Sequence, residues 1–140
     1  MTGYGLAAEH TLKDMTIWNG NNGKAYFYQS EFPYDVTQEN YGDKSYSAFV
    51  VNDNVTNFEG YGLGAYSFFR DHSVEVESGI RAPQKDDVTL TNSLSVFLNG
   101  NGGIKHIIDE DGASVLQGQQ TEWDCSFKYG KNKQSAVNFL

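Results

Sequence analysis

Short strand-like stretches of apolar and aromatic residues, arriving every ten to fifteen positions with glycine, asparagine and aspartate between them, set the strongest limit on what this chain can become. No stretch keeps the 3.6-residue apolar period of a packed helix, whereas Ser73-Val74-Glu75-Val76-Glu77-Ser78 alternates with period two, as in a half-exposed strand. Short strands are expected at Thr11 to Trp18, Ala25 to Gln29, Tyr46 to Val51, Tyr61 to Arg70, Val88 to Leu90, Leu94 to Leu98 and Ile104 to Ile108. Pro33 closes the second of them, because proline brings no N–H to a ladder. The polar run Val36 to Lys44 reads as a surface loop, Asn99-Gly100-Asn101-Gly102-Gly103 as a tight turn, and Asp109-Glu110-Asp111-Gly112 as a solvated one. In Gly60 to Gly64, glycines alternate with larger residues and leave one strand face nearly bare.

The fold class is therefore all-β, in one domain spanning residues 1–140, with residues 117–140 set apart as a capping strand or tail. Regular strands with turn chemistry between them suit a sandwich, a barrel or a solenoid. Connections longer than hairpins need favour a solenoid with coils of about two dozen residues. Periodicity alone leaves a partial parallel β-helix and a β-sandwich evenly matched.

Composition narrows function by exclusion. A formal net charge of −8 on a chain with only ten Lys and Arg argues against a nucleic-acid partner, which needs clustered cations on phosphate. Cys125 is the only cysteine, which excludes a disulfide or a thiolate metal cluster within one chain. No apolar run approaches the length of a membrane span, so no membrane partner is expected. His72 and His106 lack neighbours at metal-ligand spacing, and neither a phosphate loop nor a Gly-x-Ser-x-Gly elbow is present; no metal and no cofactor are expected.

The segment richest in chemistry is Tyr26-Phe27-Tyr28-Gln29-Ser30-Glu31-Phe32-Pro33-Tyr34-Asp35, an aromatic strand running into two carboxylates. Flat rings beside acids suit a carbohydrate surface, although aromatic residues in strands more often fill a core. Glu31 is equally readable as a strand-end acid that accepts backbone amides, and Glu9 with His10 as a buried hydrogen-bonded pair.

Four motifs in order, Gly5-Leu6-Ala7-Ala8-Glu9-His10-Thr11, Trp18-Asn19-Gly20, Tyr26 to Val36 and Tyr61-Gly62-Leu63-Gly64-Ala65-Tyr66-Ser67-Phe68-Phe69-Arg70-Asp71-His72, carry a resemblance, continued through Val76 to Pro83 and Ser95 to His106. Over about residues 3–116 the chain resembles the C-terminal part of glycoside hydrolase family 55, the exo-β-1,3-glucanases or laminarinases. The resemblance implies a right-handed parallel β-helix of the pectate-lyase-like kind, matching the second of two tandem helices. It also implies inverting hydrolysis of a terminal β-1,3-linked glucose, with Glu31 as general acid and Glu9 helping to hold or activate water. Trp18, Tyr26, Tyr28, Tyr34 and Asp35 become candidates for binding sugar. The expected partners are a β-1,3-glucan and either an N-terminal β-helix or a second copy of the chain; the expected location is extracellular. A binding module without turnover is the alternative.

The resemblance can be checked against geometry. Glu9 and Glu31 are 22 residues apart, close to one solenoid turn, so they should stand on neighbouring coils about 4.8 Å apart. Inverting pairs usually sit roughly 6.5 to 9.5 Å apart, to admit water.

Overall fold

A computed structural model describes residues 1–119 and the backbone of 123–126. The expectations for Trp123, Phe127, Tyr129 and Phe139 as parts of a cap or tail concern side chains outside the described residues.

Ten strands form one sheet that winds on itself. They are β1 (Thr2–Tyr4), β2 (Ala7–Glu9), β3 (Thr16–Trp18), β4 (Gly23–Glu31), β5 (Phe49–Val51), β6 (Asn57–Arg81), β7 (Asp87–Thr91), β8 (Ser93–Ile108), β9 (Val115–Leu116) and β10 (Trp123–Ser126). The pairing follows a coil: β1 and β2 lie parallel to β4, β4 to β6, and β6 to β7 and β8, while β3 runs parallel to β5 and β5 to the end of β6. From β1 to β8 each strand lies parallel to the one a coil earlier, which is a parallel β-helix and not two facing antiparallel sheets, while β9 and β10 lie antiparallel on β8.

One left-handed residue per coil turns the chain at the same corner. Tyr4, Tyr26, Tyr61 and Thr91 are successive partners across the ladder. The residues that follow them, Gly5, Phe27, Gly62 and Asn92, have φ of 59°, 58°, 63° and 53°. Gly62 takes the corner without the strain that Phe27 and Asn92 bear at the same position, and the glycine run of β6 is not a bare ligand-facing strip: at Gly60 a Cβ would strike Leu90. Asn99 to Gly103 is likewise a bend within a coil and not a hairpin, since both flanks of β8 pair in parallel with β6. Gly102 has φ of 91° and lies so close to Val74 O that no Cβ fits.

The register step is 22 residues from Glu9 to Glu31 and 33 from Thr16 to Phe49, so the second coil carries 11 additional residues between β4 and β5. This insertion includes a 3₁₀ turn at Gly42–Lys44 and is more than a surface loop. Its Val36 and Tyr41 are buried, and the Tyr41 hydroxyl donates to Lys13 O at 3.2 Å. Gln38 clips it to β6, accepting from Glu75 N at 2.7 Å and donating to Glu75 O at 3.2 Å.

Inward residues of successive coils stack into two apolar clusters. One runs through Trp18, Tyr28, Phe49, Phe58, Leu63 and Ile80, the other through Phe32, Tyr41, Phe69, Val74, Val76 and Ile104. Each fully buried side chain of this size contributes about 1.5–3 kcal/mol. Phe69 belongs to this interior as expected, whereas Phe68 and Phe97 are only partly buried.

Candidate active site

Strand alternation and coil register together place the two acids. Ser30 and Phe32 point inward, both fully buried, with Ser30 Oγ donating to Gly64 O at 2.8 Å; Glu31 between them points outward. Glu9 ends β2 as the in-register neighbour of Glu31, and Tyr66 is the next rung. His10 then leaves the strand with φ of 54°, and its N–H donates to Glu31 O at 3.0 Å. One carboxylate oxygen from each glutamate and one His10 ring nitrogen all lie within 4.8 Å of one another. Glu31 is half-buried and Glu9 and His10 are exposed, so the pair is neither sealed in the core nor split between faces. The reading of Glu9 and His10 as a buried pair is thereby corrected.

Tyr34 is the hub beside this pair. Pro33 turns the chain out of β4, and Tyr34 O then accepts the N–H groups of Arg70 at 3.0 Å and Asp71 at 3.3 Å. The His10 ring meets the Tyr34 ring edge-on at a centroid distance of 4.4 Å, Phe68 lies at 5.1 Å, and the Arg70 guanidinium sits 5.7 Å from the ring centre. Both Arg70 nitrogens in turn bond Asp71 at 2.8 Å. The Tyr34 phenol is pushed above its ordinary value, first by its hydrogen bond to Glu31, then by desolvation and the charges of Glu31 and Glu9, against an opposing pull from Arg70. Tyr34 thus stands beside Glu31 with its ring packed by His10, Phe68 and Arg70, and it lines the adjoining cavity.

A cavity of about 260 Å³ opens on the other side of Tyr34, lined by His10, Leu12, Pro33, Tyr34, Asp35 and Arg70. Asp35 stands exposed at its rim, open to a ligand.

Three aromatic candidates sit elsewhere. Trp18 is 8% exposed, wedged against Phe58 at 5.1 Å and Phe49 at 6.5 Å, with its indole N–H on Gly20 O. Tyr28 is 3% exposed and donates to Ala48 O at 2.8 Å. Both point inward by strand alternation, so neither ring can reach a sugar, and the expectation for them is corrected. Tyr26 faces outward but is stacked between Tyr4 at 4.9 Å and Tyr61 at 5.0 Å, nearly parallel to both, so no sugar can lie on its faces. Sequence reasoning missed the converse: Arg70, Asp71 and His10 come to the site through register and the corner after β2, which no local pattern displays. The signal available for Arg70 and Asp71 was their place inside the Tyr61 to His72 motif.

Chemically, paired carboxylates on an open face with a phenol donor on one of them can deliver a proton and orient water.

Known proteins carry the same arrangement of chain. The family description LAM55 pectate lyase-like domain matches residues 1–31, the segment holding both acids. An exo-beta-1,3-glucanase of Streptomyces sp. (strain SirexAA-E / ActE) is 39% identical over 113 residues, 77% of this chain and 19% of that protein. The structure of sacteLam55A from Streptomyces sp. SirexAA-E superposes with a TM-score of 0.82 at 32% identity, over 91% of this chain and 24% of that one. A glutamate-to-alanine variant of sacteLam55A in complex with glucose matches with the same TM-score, identity and coverage. The chain therefore spans about a fifth to a quarter of the proteins it matches. Sequence and fold together make this chain a relative of glycoside hydrolase family 55, equivalent to a β-helical C-terminal portion of such a protein.

Proposed function

We propose that this chain supplies the acid-bearing side of an exo-acting β-1,3-glucanase site, with Glu31 as the general acid. The observation that carries the reading is the outward pair Glu9 and Glu31, in register on adjacent coils of a chain related to exo-β-1,3-glucanases. Glu31 gives its proton to the glycosidic oxygen as the bond to the terminal glucose breaks, and water attacks the opposite face of the sugar. Tyr34 keeps Glu31 in position through its phenol. Asp35, at the cavity rim, is a hydrogen-bond acceptor for glucose hydroxyls. A separation within 4.8 Å is shorter than the roughly 6.5–9.5 Å of inverting pairs, so Glu9 stands beside Glu31 and not across the ring from it. The attacking water and the base that takes its proton then lie on the far side, on a facing element, a second β-helix or another copy of the chain, and Glu9 is an auxiliary to the acid. Such an enzyme would act on β-1,3-glucan, outside the cell if the location implied by the family resemblance holds for this chain.

The test is reducing-sugar release from laminarin. Glu31→Gln should lower the rate by about 10²–10⁴-fold, the usual worth of a general acid, while the exposed Glu75→Gln leaves it unchanged. The anomer released first adds a second readout. α-Glucose supports inversion, whereas β-glucose would make Glu9 the nucleophile of a retaining pair, as the short spacing alone suggests. Measurable laminarin affinity with no sugar released would instead support a second reading, a glucan-binding module, favoured by the placement of both acids on one side of the cleft.

A further inference from the structure

Some acids of the described chain have a cation beside them: Glu59 has Lys24 at 2.9 Å, Asp71 has Arg70 at 2.8 Å, Asp14 has Arg81 at 2.6 Å and Glu77 has Lys105 at 3.1 Å. Glu9 and Glu31 have an imidazole beside them instead. They face each other across adjacent parallel strands, yet among the described residues no Lys or Arg nitrogen lies within 4.0 Å of either carboxylate. Like charges directly opposite on a ladder destabilise it. That imidazole is the commonest metal-ligating side chain.

We propose that Glu9, His10 and Glu31 form a site for a divalent transition-metal ion of the Zn²⁺ type. The donor set is one nitrogen and two carboxylate oxygens, drawn from two coils, already within 4.8 Å of one another. A tetrahedral Zn²⁺ with bonds of about 2.0–2.2 Å brings its ligand atoms to roughly 3.4 Å apart. Closing that difference takes rotamer adjustments of the exposed Glu9 and a small shift of the His10 ring against Tyr34. Three protein ligands on an open face leave the fourth position to water. The imidazole separates this site from a mere acidic patch: it selects Zn²⁺ over Mg²⁺ and Ca²⁺, which prefer all-oxygen shells. Metal binding needs no glucanase activity. Where hydrolysis does occur, a bound ion engages both carboxylates and withholds the acid, so the site would act as a metal-dependent brake.

The experiment is calorimetry of the intact chain with zinc chloride, after treatment with a chelator. One Zn²⁺ per chain is expected, with affinity falling about tenfold or more in each of Glu9→Gln, His10→Gln and Glu31→Gln. His106→Ala is the control, since His106 has its own glutamate, Glu77, at 3.8 Å and should not contribute. In the unsubstituted chain, NMR should show Zn²⁺ moving the His10 ring signals and not those of His72 or His106, which frees the result from any folding defect in a variant. No binding, binding that survives His10→Gln, or equal competition by Mg²⁺ would overturn the proposal. Zinc binding without laminarin hydrolysis would leave it standing while removing the glucanase reading; hydrolysis indifferent to zinc would do the reverse.

Discussion

The two ends of the solenoid are finished differently. At the far end, the last coil is covered by strands running the other way. β9 lies antiparallel on Gly103 and Ile104, and β10 antiparallel on Ser93 to Val96. Ile104, Ile107 and Val115 are fully buried there. At the near end, β1, β2 and β3 have pairing partners on one side only, and Tyr4, Leu12 and Ile17 are 70%, 67% and 51% exposed. A parallel ladder presents the same unpaired edge at every coil and can be extended indefinitely, whereas a reversed strand ends it. The candidate site lies at the open end, because Glu9 belongs to the first coil and Glu31 to the second. The acids are thus placed where another surface can complete a cleft, while the covered end serves stability.

That contrast is broken most directly by truncating one isoleucine at each end. Ile104→Ala removes a fully buried side chain in a closely packed cluster and should cost about 2–5 kcal/mol. Ile17→Ala, at a half-exposed edge position, should stay within about 1 kcal/mol. Urea unfolding of both variants measures the difference, and equal losses would show that the near end is packed after all. A smaller effect is expected at the tie between the coils. Tyr41→Phe leaves the ring in place but removes the donor to Lys13 O, a loss of about 1–2 kcal/mol, read in the same unfolding experiment.

Much of this division was legible in the residues. Alternation in Ser73 to Ser78 and the spacing of Glu9 and Glu31 announced strands and coil length, and the ladder has the two acids in register. Solenoid and sandwich could not be separated from strand pattern alone, because both use short alternating strands; the difference lies in which strands pair. The fate of the aromatic residues was hidden for a related reason. Tyr26 and Tyr28 have similar local surroundings, but the single left-handed residue Phe27 lies between them, so one joins an outer tyrosine stack and the other the core. Val36 to Lys44 reads as polar surface because only Val36 and Tyr41 reveal that the insertion packs on the coil.

The open edge makes its own prediction about association. Edge strands with exposed apolar residues pair with other chains, and a lysine on such an edge prevents it. Sedimentation at rising concentration should show self-association of the isolated chain, weakened by Ile17→Lys or Leu12→Lys and unchanged by a lysine at Leu98, which is 50% exposed but lies on the covered coil. Equal effects from all three would mean that general hydrophobicity, and not the unpaired edge, drives association.

The smallest effect concerns the outer tyrosine stack that leads toward that edge. Lys24 pairs with Glu59 at 2.9 Å, and the Tyr61 hydroxyl donates to the same carboxylate at 3.0 Å. Glu59 is held below its ordinary value of 4.5, first by the Lys24 hydrogen bond and then by that from Tyr61, while Lys24 is raised above 10.5 chiefly by Glu59. A depressed carboxylate contributes stability that is complete above pH 4.5 and disappears as pH falls through the lowered value. A raised lysine contributes stability that is complete below 10.5 and disappears as pH climbs through the raised one. The pair should therefore support the stack across the whole middle range and fail at both extremes, on the acid side below 4.5. Both groups are exposed enough that solvent and salt keep the contribution small. Lys24→Met should slightly flatten the acid limb of the melting-temperature profile at low salt and leave it unaltered at high salt. An unchanged acid limb at low salt would assign the order of the stack to the tyrosine rings alone.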